Sequence, residues 1–234
     1  MTDRRLLSAT LALMALAASP ALAQDRDNYK EIERLRTCRD VVDEMTTVKE
    51  GVPLDFLNKA ECVIVIPGVK KAAIGIGGRL GWGAAVCRSH NGQGPWGAPL
   101  MMSLKGGSIG LQIGGQSSDF VLLVMDPKGI DHLLGSKFAL GADASIAAGP
   151  VGRNVEAATD VSMHAEILSY SRSRGIFAGI SLEGASLAQD KKANLAIYGE
   201  RLTSRDILLN PHRDIPKAAI GLVDALERLS PVSK

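Results

Sequence analysis

From residue 62 to about residue 187 the chain is threaded with glycine while its apolar residues recur at every second position, and that combination constrains the fold more than any other feature. A period of two is the mark of a β-strand with one face buried. Ile74 and Ile76 alternate with Gly75 and Gly77. Ile109, Leu111 and Ile113 alternate with Ser108, Gly110, Gln112 and Gly114. Val161, Met163, Ala165 and Ile167 alternate with Ser162, His164, Glu166 and Leu168. Parallel strands would read as unbroken apolar runs, so the pattern predicts antiparallel pairing. Two unbroken runs do occur, at residues 62–66 and 120–125, and these are candidates for central strands. Glycine weakens a strand unless it marks a bend, a bulge or a close backbone approach, so its abundance predicts a strongly curved sheet. Between two strand runs, Asn91-Gly92 in the stretch 90–94 signals a hairpin.

Helical periodicity flanks this region. Ile32, Leu35, Cys38, Val42 and Met45 recur at steps of three and four, with charged residues between them, which predicts an amphipathic helix over 28–48. Gly51-Val52-Pro53 ends it, and Pro53 suits the start of a short helix over 54–60. A helical turn or two is expected at 126–135, closed by Gly135. Ile215, Ala219, Leu222, Leu226 and Leu229 place an apolar stripe on a last helix over 214–229. The class is therefore α+β: a curved, largely antiparallel, barrel-like sheet flanked by N- and C-terminal helices.

Residues 1–23 stand apart. Arg4 and Arg5 precede an apolar run over 6–18, followed by Ala21-Leu22-Ala23, which together read as a cleaved secretory signal peptide. The apolar run is too short to span a hydrocarbon core of about 30 Å. The mature chain is expected to begin at Gln24, to form a single domain over 24–234, and to reside in the periplasm or outside the cell. Of 27 basic and 25 acidic residues, the leader carries two and one, so the mature chain is close to neutral. Net charge therefore excludes a dedicated nucleic-acid binder, and any anion site must be a local patch. Cys38, Cys62 and Cys87 allow at most one intramolecular disulfide. Cys38 and Cys62 fall on apolar patterns and read as buried small hydrophobes. No ligand spacing among Cys and His suggests a metal site, and no cofactor motif is present.

Two glycine motifs need structural context. Gly106-Gly107-Ser108-Ile109-Gly110 matches the G-x-S-x-G nucleophile elbow, which requires a strand, a sharp turn and then a helix. Here the period of two continues past Ser108, so a secreted serine hydrolase using Ser108 is the alternative function rather than the leading one. Gly75-Ile76-Gly77-Gly78-Arg79-Leu80 lacks the last glycine of a dinucleotide fingerprint and no helix follows it. His164 is expected to share a polar strand face with Glu166, Tyr170, Arg172 and Arg174, and that basic strand end is a candidate anion site. Lys70 and Lys71 follow Pro67-Gly68, another place where a loop and cations can meet a phosphate.

The segments 60–71, 75–78, 94–99, 106–114, 140–145, 148–153 and 170–184 occur in the order found in the SYLF-domain lipid-binding family, which the chain resembles over nearly its whole mature length. Eukaryotic members of that family bind phosphoinositides, act at membranes and regulate actin, often beside an SH3 or FYVE module, neither of which this sequence contains. The resemblance implies a non-enzymatic module that associates peripherally with membranes by docking anionic phospholipid head groups, here those of a bacterial envelope. It offers no catalytic residues. Its basic positions correspond to Lys70, Lys71, Arg153, Arg172 and Arg174, which become the candidate lipid contacts.

Overall fold

A computed structural model describes residues 20–46, 51–90, 92–151, 164–173, 176–180 and 182–232, with the backbone alone at 20–27, 72–77 and 108–116. Residues 1–19 of the expected leader 1–23 lie outside the described residues, as do Arg153 and Arg174. Two strands dominate: β1 (Cys62–Cys87) and β2 (Leu100–Val124) pair antiparallel along their whole length, from Cys62 opposite Val124 to Ala85 opposite Leu100. A straight strand of 26 residues would extend roughly 85 Å at about 3.3 Å per residue. Yet Cys62 and Cys87, at its two ends, are joined by a disulfide with their Cα atoms 3.9 Å apart. The ribbon must double back on itself, which is the curvature the glycines predicted. The expectation that Cys62 is only a buried small hydrophobe is corrected: it is buried, and it closes this loop.

Glycine makes the fold-back possible where its two halves touch. A Cβ added at Gly81 would lie 2.6 Å from Val69 Cγ2, and one at Gly83 only 1.8 Å from the Val65 carbonyl oxygen. The continuous run 62–66 then needs two apolar faces. Cys62, Ile64 and Ile66 point into the curl beside Leu100, Met102, Leu104, Leu122 and Leu187, whereas Val63 and Val65 face a helical layer.

The sheet has seven described strands. Its path runs β3 (Lys137–Ala139), β7 (Ala185–Gln189), β2, β5 (Ile167–Ser173), β4 (Ile146–Ala148), with β1 on β2 and β6 (Ile176–Gly179) on β5. All pairings are antiparallel except β4 with β5, which is parallel. The fold is thus α+β, a strongly curled and mostly antiparallel half-barrel between N- and C-terminal helices.

Helix α1 (Pro20–Met45) lays Leu35, Cys38, Val41, Val42 and Met45 on Val63, Val65, Val121 and Leu123. Ile32, expected on this stripe, is instead 36% exposed, and Glu31 is buried in its neighbourhood, paired with Arg34 at 2.8 Å. Cys38 is a free thiol that donates to the Val65 carbonyl at 3.6 Å, and burial pushes its pKa up to about 12, so it is an inert core residue. Helix α2 (Leu54–Lys59) follows Pro53 as expected. Helix α3 (Pro127–Leu134) is capped by Asp126, whose side chain accepts from the Gly129 N–H at 3.1 Å. Helix α4 (Lys191–Tyr198), helix α5 (Ser204–Leu208), a 3₁₀ turn (Lys217–Ala219) and helix α6 (Ile220–Leu229) complete the chain. Ala219, Leu222 and Leu226 are buried against α1 and the sheet, as the stripe predicted.

The connection between β1 and β2 contains the expected hairpin, though in a wider form. Ser89 N–H donates to the Pro95 carbonyl at 2.9 Å, and His90 and Gly92 both adopt positive φ, 52° and 81°. Arg88 is buried there, its guanidinium 4.1 Å over the Trp96 ring and donating to the Ser230 carbonyl at 2.6 Å. Trp96 Nε1 donates to the same carbonyl at 3.0 Å, so the end of α6 is tied to the β1–β2 connection.

Candidate functional site

The fold-back also decides what faces solvent. Because Gly81 and Gly83 point inward against residues 65–69, the residues that alternate with them, Leu80 and Trp82, point outward and are 37% and 42% exposed. Tyr29, on the first described turn of α1 side chains, is 68% exposed. Tyr29 and Trp82 share a cleft of about 500 Å³ with Lys30, Thr37, Pro67 and Gly68, mostly apolar and open to solvent. In a chain with only 4% aromatic residues, two large exposed rings in one cleft are a notable use of scarce material.

One wall of this cleft is fixed by a charged hub. Gly68 takes a positive φ of 56° and its N–H donates to Asp119 Oδ1 at 2.8 Å. Asp119 Oδ2 accepts from Arg172 Nε, also at 2.8 Å, and Arg172 Nη1 reaches Glu44 on α1. Arg172 therefore cross-links β5, β2 and α1 between two carboxylates. Its neighbour in the expected polar face, Tyr170, is fully buried, and burial raises its pKa above the ordinary phenol value. Residues 167–170 are all buried because β5 is covered on both faces, so the polar face proposed for His164, Glu166, Tyr170, Arg172 and Arg174 is corrected. His164 is exposed and precedes the strand, the 161–163 part of the predicted strand lies outside the described residues, and Glu166 faces His132 at 3.3 Å.

Reversing the charge of Arg172 should therefore disturb the fold itself. In Arg172→Glu three carboxylates would meet where one cation stood. A part-buried cross-link of this kind is worth about 2 kcal/mol, between the values for exposed and fully buried pairs. Thermal unfolding should show a clear drop for Arg172→Glu and a smaller one for Arg172→Gln, which removes the attraction without adding repulsion.

The other candidate cations are differently placed. Lys70 is exposed on β1 opposite Ser117, one residue beyond Val69, which packs on Gly81. Lys71 is half-buried opposite Gln116. Lys30 lines the cleft and Lys70 is exposed two residues beyond its Gly68, whereas Arg172 is committed to the fold. Sequence reasoning missed Tyr29, Lys30, Leu80 and Trp82; the available signal was Gly81-Trp82-Gly83, where two glycines that must face inward force the tryptophan out.

Ser108 lies in the interior of β2, its backbone paired with Gly77, and the strand continues to Val124. There is no turn and no following helix, so the motif is a strand segment and not an elbow. Among the described residues no group of three His, Cys, Asp or Glu side chains could hold a metal ion, and no helix is long and apolar enough to cross a membrane.

An open, mostly apolar cleft, lined by two exposed rings, Lys30 and Arg34 and also by the carboxylates Glu33 and Asp119, is the equipment of a binding surface. The chain belongs to the Ysc84, or SYLF, family: the family pattern, described as Las17-binding protein actin regulator, matches residues 105–229. Similar proteins include the SH3 domain-containing protein PJ696.02 of Schizosaccharomyces pombe, 37% identical over 164 residues, covering 68% of this chain and 37% of that protein. Protein YSC84 of Saccharomyces cerevisiae is 33% identical over 181 residues, 75% of this chain and 37% of that one. The human SH3 domain-containing YSC84-like protein 1 is 32% identical over 169 residues, 72% of this chain and 48% of that one. The chain therefore spans between about a third and a half of the length of these relatives. The family pattern's description names a binding and regulatory protein, not an enzyme.

Proposed function

We propose that this chain is an exported, non-enzymatic module that docks on anionic phospholipid head groups at the surface of the bacterial envelope. The observation that carries this reading is the exposed Tyr29–Trp82 cleft with Lys30 in its lining, and exposed Lys70 two residues beyond its Gly68. Tryptophan and tyrosine favour the interfacial zone of a bilayer, where an apolar ring body and a polar edge are both accommodated. Lysines beside them contribute about 1 kcal/mol each against an anionic surface, screened within about 8 Å at physiological salt. Lys71, and Arg153 and Arg174 outside the described residues, remain candidate contacts.

Export is supported by the leader pattern and by the Cys62–Cys87 disulfide, since such bonds persist mainly in oxidising compartments. The binding of Las17 and the regulation of actin belong to the description of the family pattern, and we do not carry them to an exported chain.

Flotation on vesicles tests the reading. The mature protein should rise with vesicles rich in anionic lipid and stay behind with neutral ones. Reversing both Lys30 and Lys70 to Glu removes two attractions and adds two repulsions, so partitioning onto anionic vesicles should fall at least about tenfold, the factor that 1.4 kcal/mol gives. A folded double variant that still floats like the parent would reject the assignment of these lysines.

A further inference from the structure

A second cleft, of about 620 Å³, opens where the end of α3, the end of β7, the first turns of α4 and the segment before α5 converge. Its lining differs in kind from the first. Lys191, with Lys192 beside it, comes from α4, and Arg201 comes from the segment that leads to α5, so cations arrive from two separate stretches of chain. Ser136 and Ser204 add hydroxyls, and Thr203 adds one that is already bonded to Asp206. Leu134, Leu195 and Leu202 supply an apolar part, and among the described residues no carboxylate lines the space.

The acidic residues next in sequence to this lining are already paired, one of them with the lining residue Thr203. Asp190, one residue before Lys191, accepts from the Ala193 N–H at 3.1 Å and pairs with Arg34 at 3.0 Å. Asp206 is held by Thr203, accepting from its N–H at 2.9 Å and its hydroxyl at 2.6 Å. Glu200 pairs with Arg213 at 2.9 Å. The walls are also tied before any ligand arrives. Gln189 N–H donates to the Ser136 carbonyl at 3.2 Å, and Gln189 Nε2 donates to the Leu202 carbonyl at 3.3 Å. Like charges gathered into a preformed concave site favour an anion, and three leucines favour an apolar body attached to it.

We propose that this cleft binds a phosphate group carried on an apolar body, with Lys191 and Arg201 holding the phosphate and Leu134, Leu195 and Leu202 receiving the apolar part. The assignment is independent of the Tyr29–Trp82 surface and stands or falls separately from it. A soluble phosphorylated amphiphile and a phospholipid drawn from a bilayer present the same chemistry.

Dihexanoyl phosphatidic acid, kept below its micelle concentration, is the probe. Titration calorimetry of the mature protein should show saturable binding that is at least tenfold weaker in Lys191→Ala/Arg201→Ala and in Leu195→Asn, and at least tenfold weaker for inorganic phosphate than for the lipid. Thermal unfolding of each variant confirms that it is folded, and Lys217→Ala, a cation elsewhere on the surface, serves as the matched control. Equal binding by the folded parent and the folded Lys191/Arg201 variant would overturn the proposal, as would inorganic phosphate binding as tightly as the short lipid. The source of the ligand is read from flotation on long-chain phosphatidic acid vesicles. Unchanged flotation of the double variant indicates a soluble ligand, and reduced flotation indicates a lipid in the bilayer. Retention of the calorimetric signal in Lys30→Glu/Lys70→Glu separates this site from the membrane-docking surface.

Discussion

Gly83→Ala should abolish folding, although it adds a single methyl group to a β-strand. The new Cβ would sit 1.8 Å from the Val65 carbonyl oxygen and 2.8 Å from the Ile66 Cα, and both of these are backbone atoms. No rotamer change can relieve such an overlap; the two halves of β1 would have to separate, and the Cys62–Cys87 disulfide holds them together. The cost should exceed about 4 kcal/mol, the range in which a single substitution is exceptional and diagnostic. Gly107→Ala is the matched control, because a Cβ there meets nothing within 4 Å, and it should shift stability by less than about 0.5 kcal/mol. Soluble yield and thermal unfolding of the two variants provide the comparison. A Gly83→Ala protein that unfolds at the parent temperature would mean that the two halves of β1 do not cross so closely.

Opening the disulfide should have the next largest effect. The bond joins residues 25 apart, and closing a loop of that length removes unfolded-state entropy worth about 3.5 kcal/mol. For a chain of this size 1 kcal/mol moves the midpoint by about 2–4 °C, so Cys62→Ala/Cys87→Ala should unfold roughly 10 °C below the parent. Reductant should lower the parent's midpoint by a similar amount and leave the double variant unmoved. Cys38 offers the contrast: its thiol is buried and unpaired with another sulfur, so reductant should have no effect through it. Equal midpoints with and without reductant would show that the fold-back is held by packing alone.

The order of elements was legible because each depends on local periodicity. The stripe on α6, the helix after Pro53, the Asp126-capped turn of α3 and the alternation in the middle of β1 and β2 are all set by neighbours within a few residues. Curvature was legible as well, since repeated glycine weakens a strand that stays straight and is tolerated where the backbone bends. The doubling of β1 was not, because three cysteines allow three pairings and spacing does not choose among them. The misplacement of Arg172 and Tyr170 has a related cause. A strand of mixed polarity reads as half-exposed, but Leu168 and Tyr170 of β5 pack in the helix-side core and Ile167 packs inside the curl, and its arginine is satisfied by Asp119 and Glu44, which are remote in sequence. The cleft at Tyr29 and Trp82 was hidden for the same reason: its walls come from α1 and from β1, and only the fold-back brings them together.

The chain carries two tryptophans that report on different places. Trp96 is 2% exposed and tied to Ser230, whereas Trp82 is 42% exposed in the proposed docking surface. Trp82 fluorescence therefore tests membrane docking most directly. On titration of the mature protein with vesicles rich in anionic lipid, emission should shift to the blue and be quenched by bromine-labelled acyl chains. The shift should be lost in Trp82→Phe and absent with neutral vesicles. Vesicle binding by flotation with no change in Trp82 emission would contradict the account, because the protein would then meet the membrane through a different face.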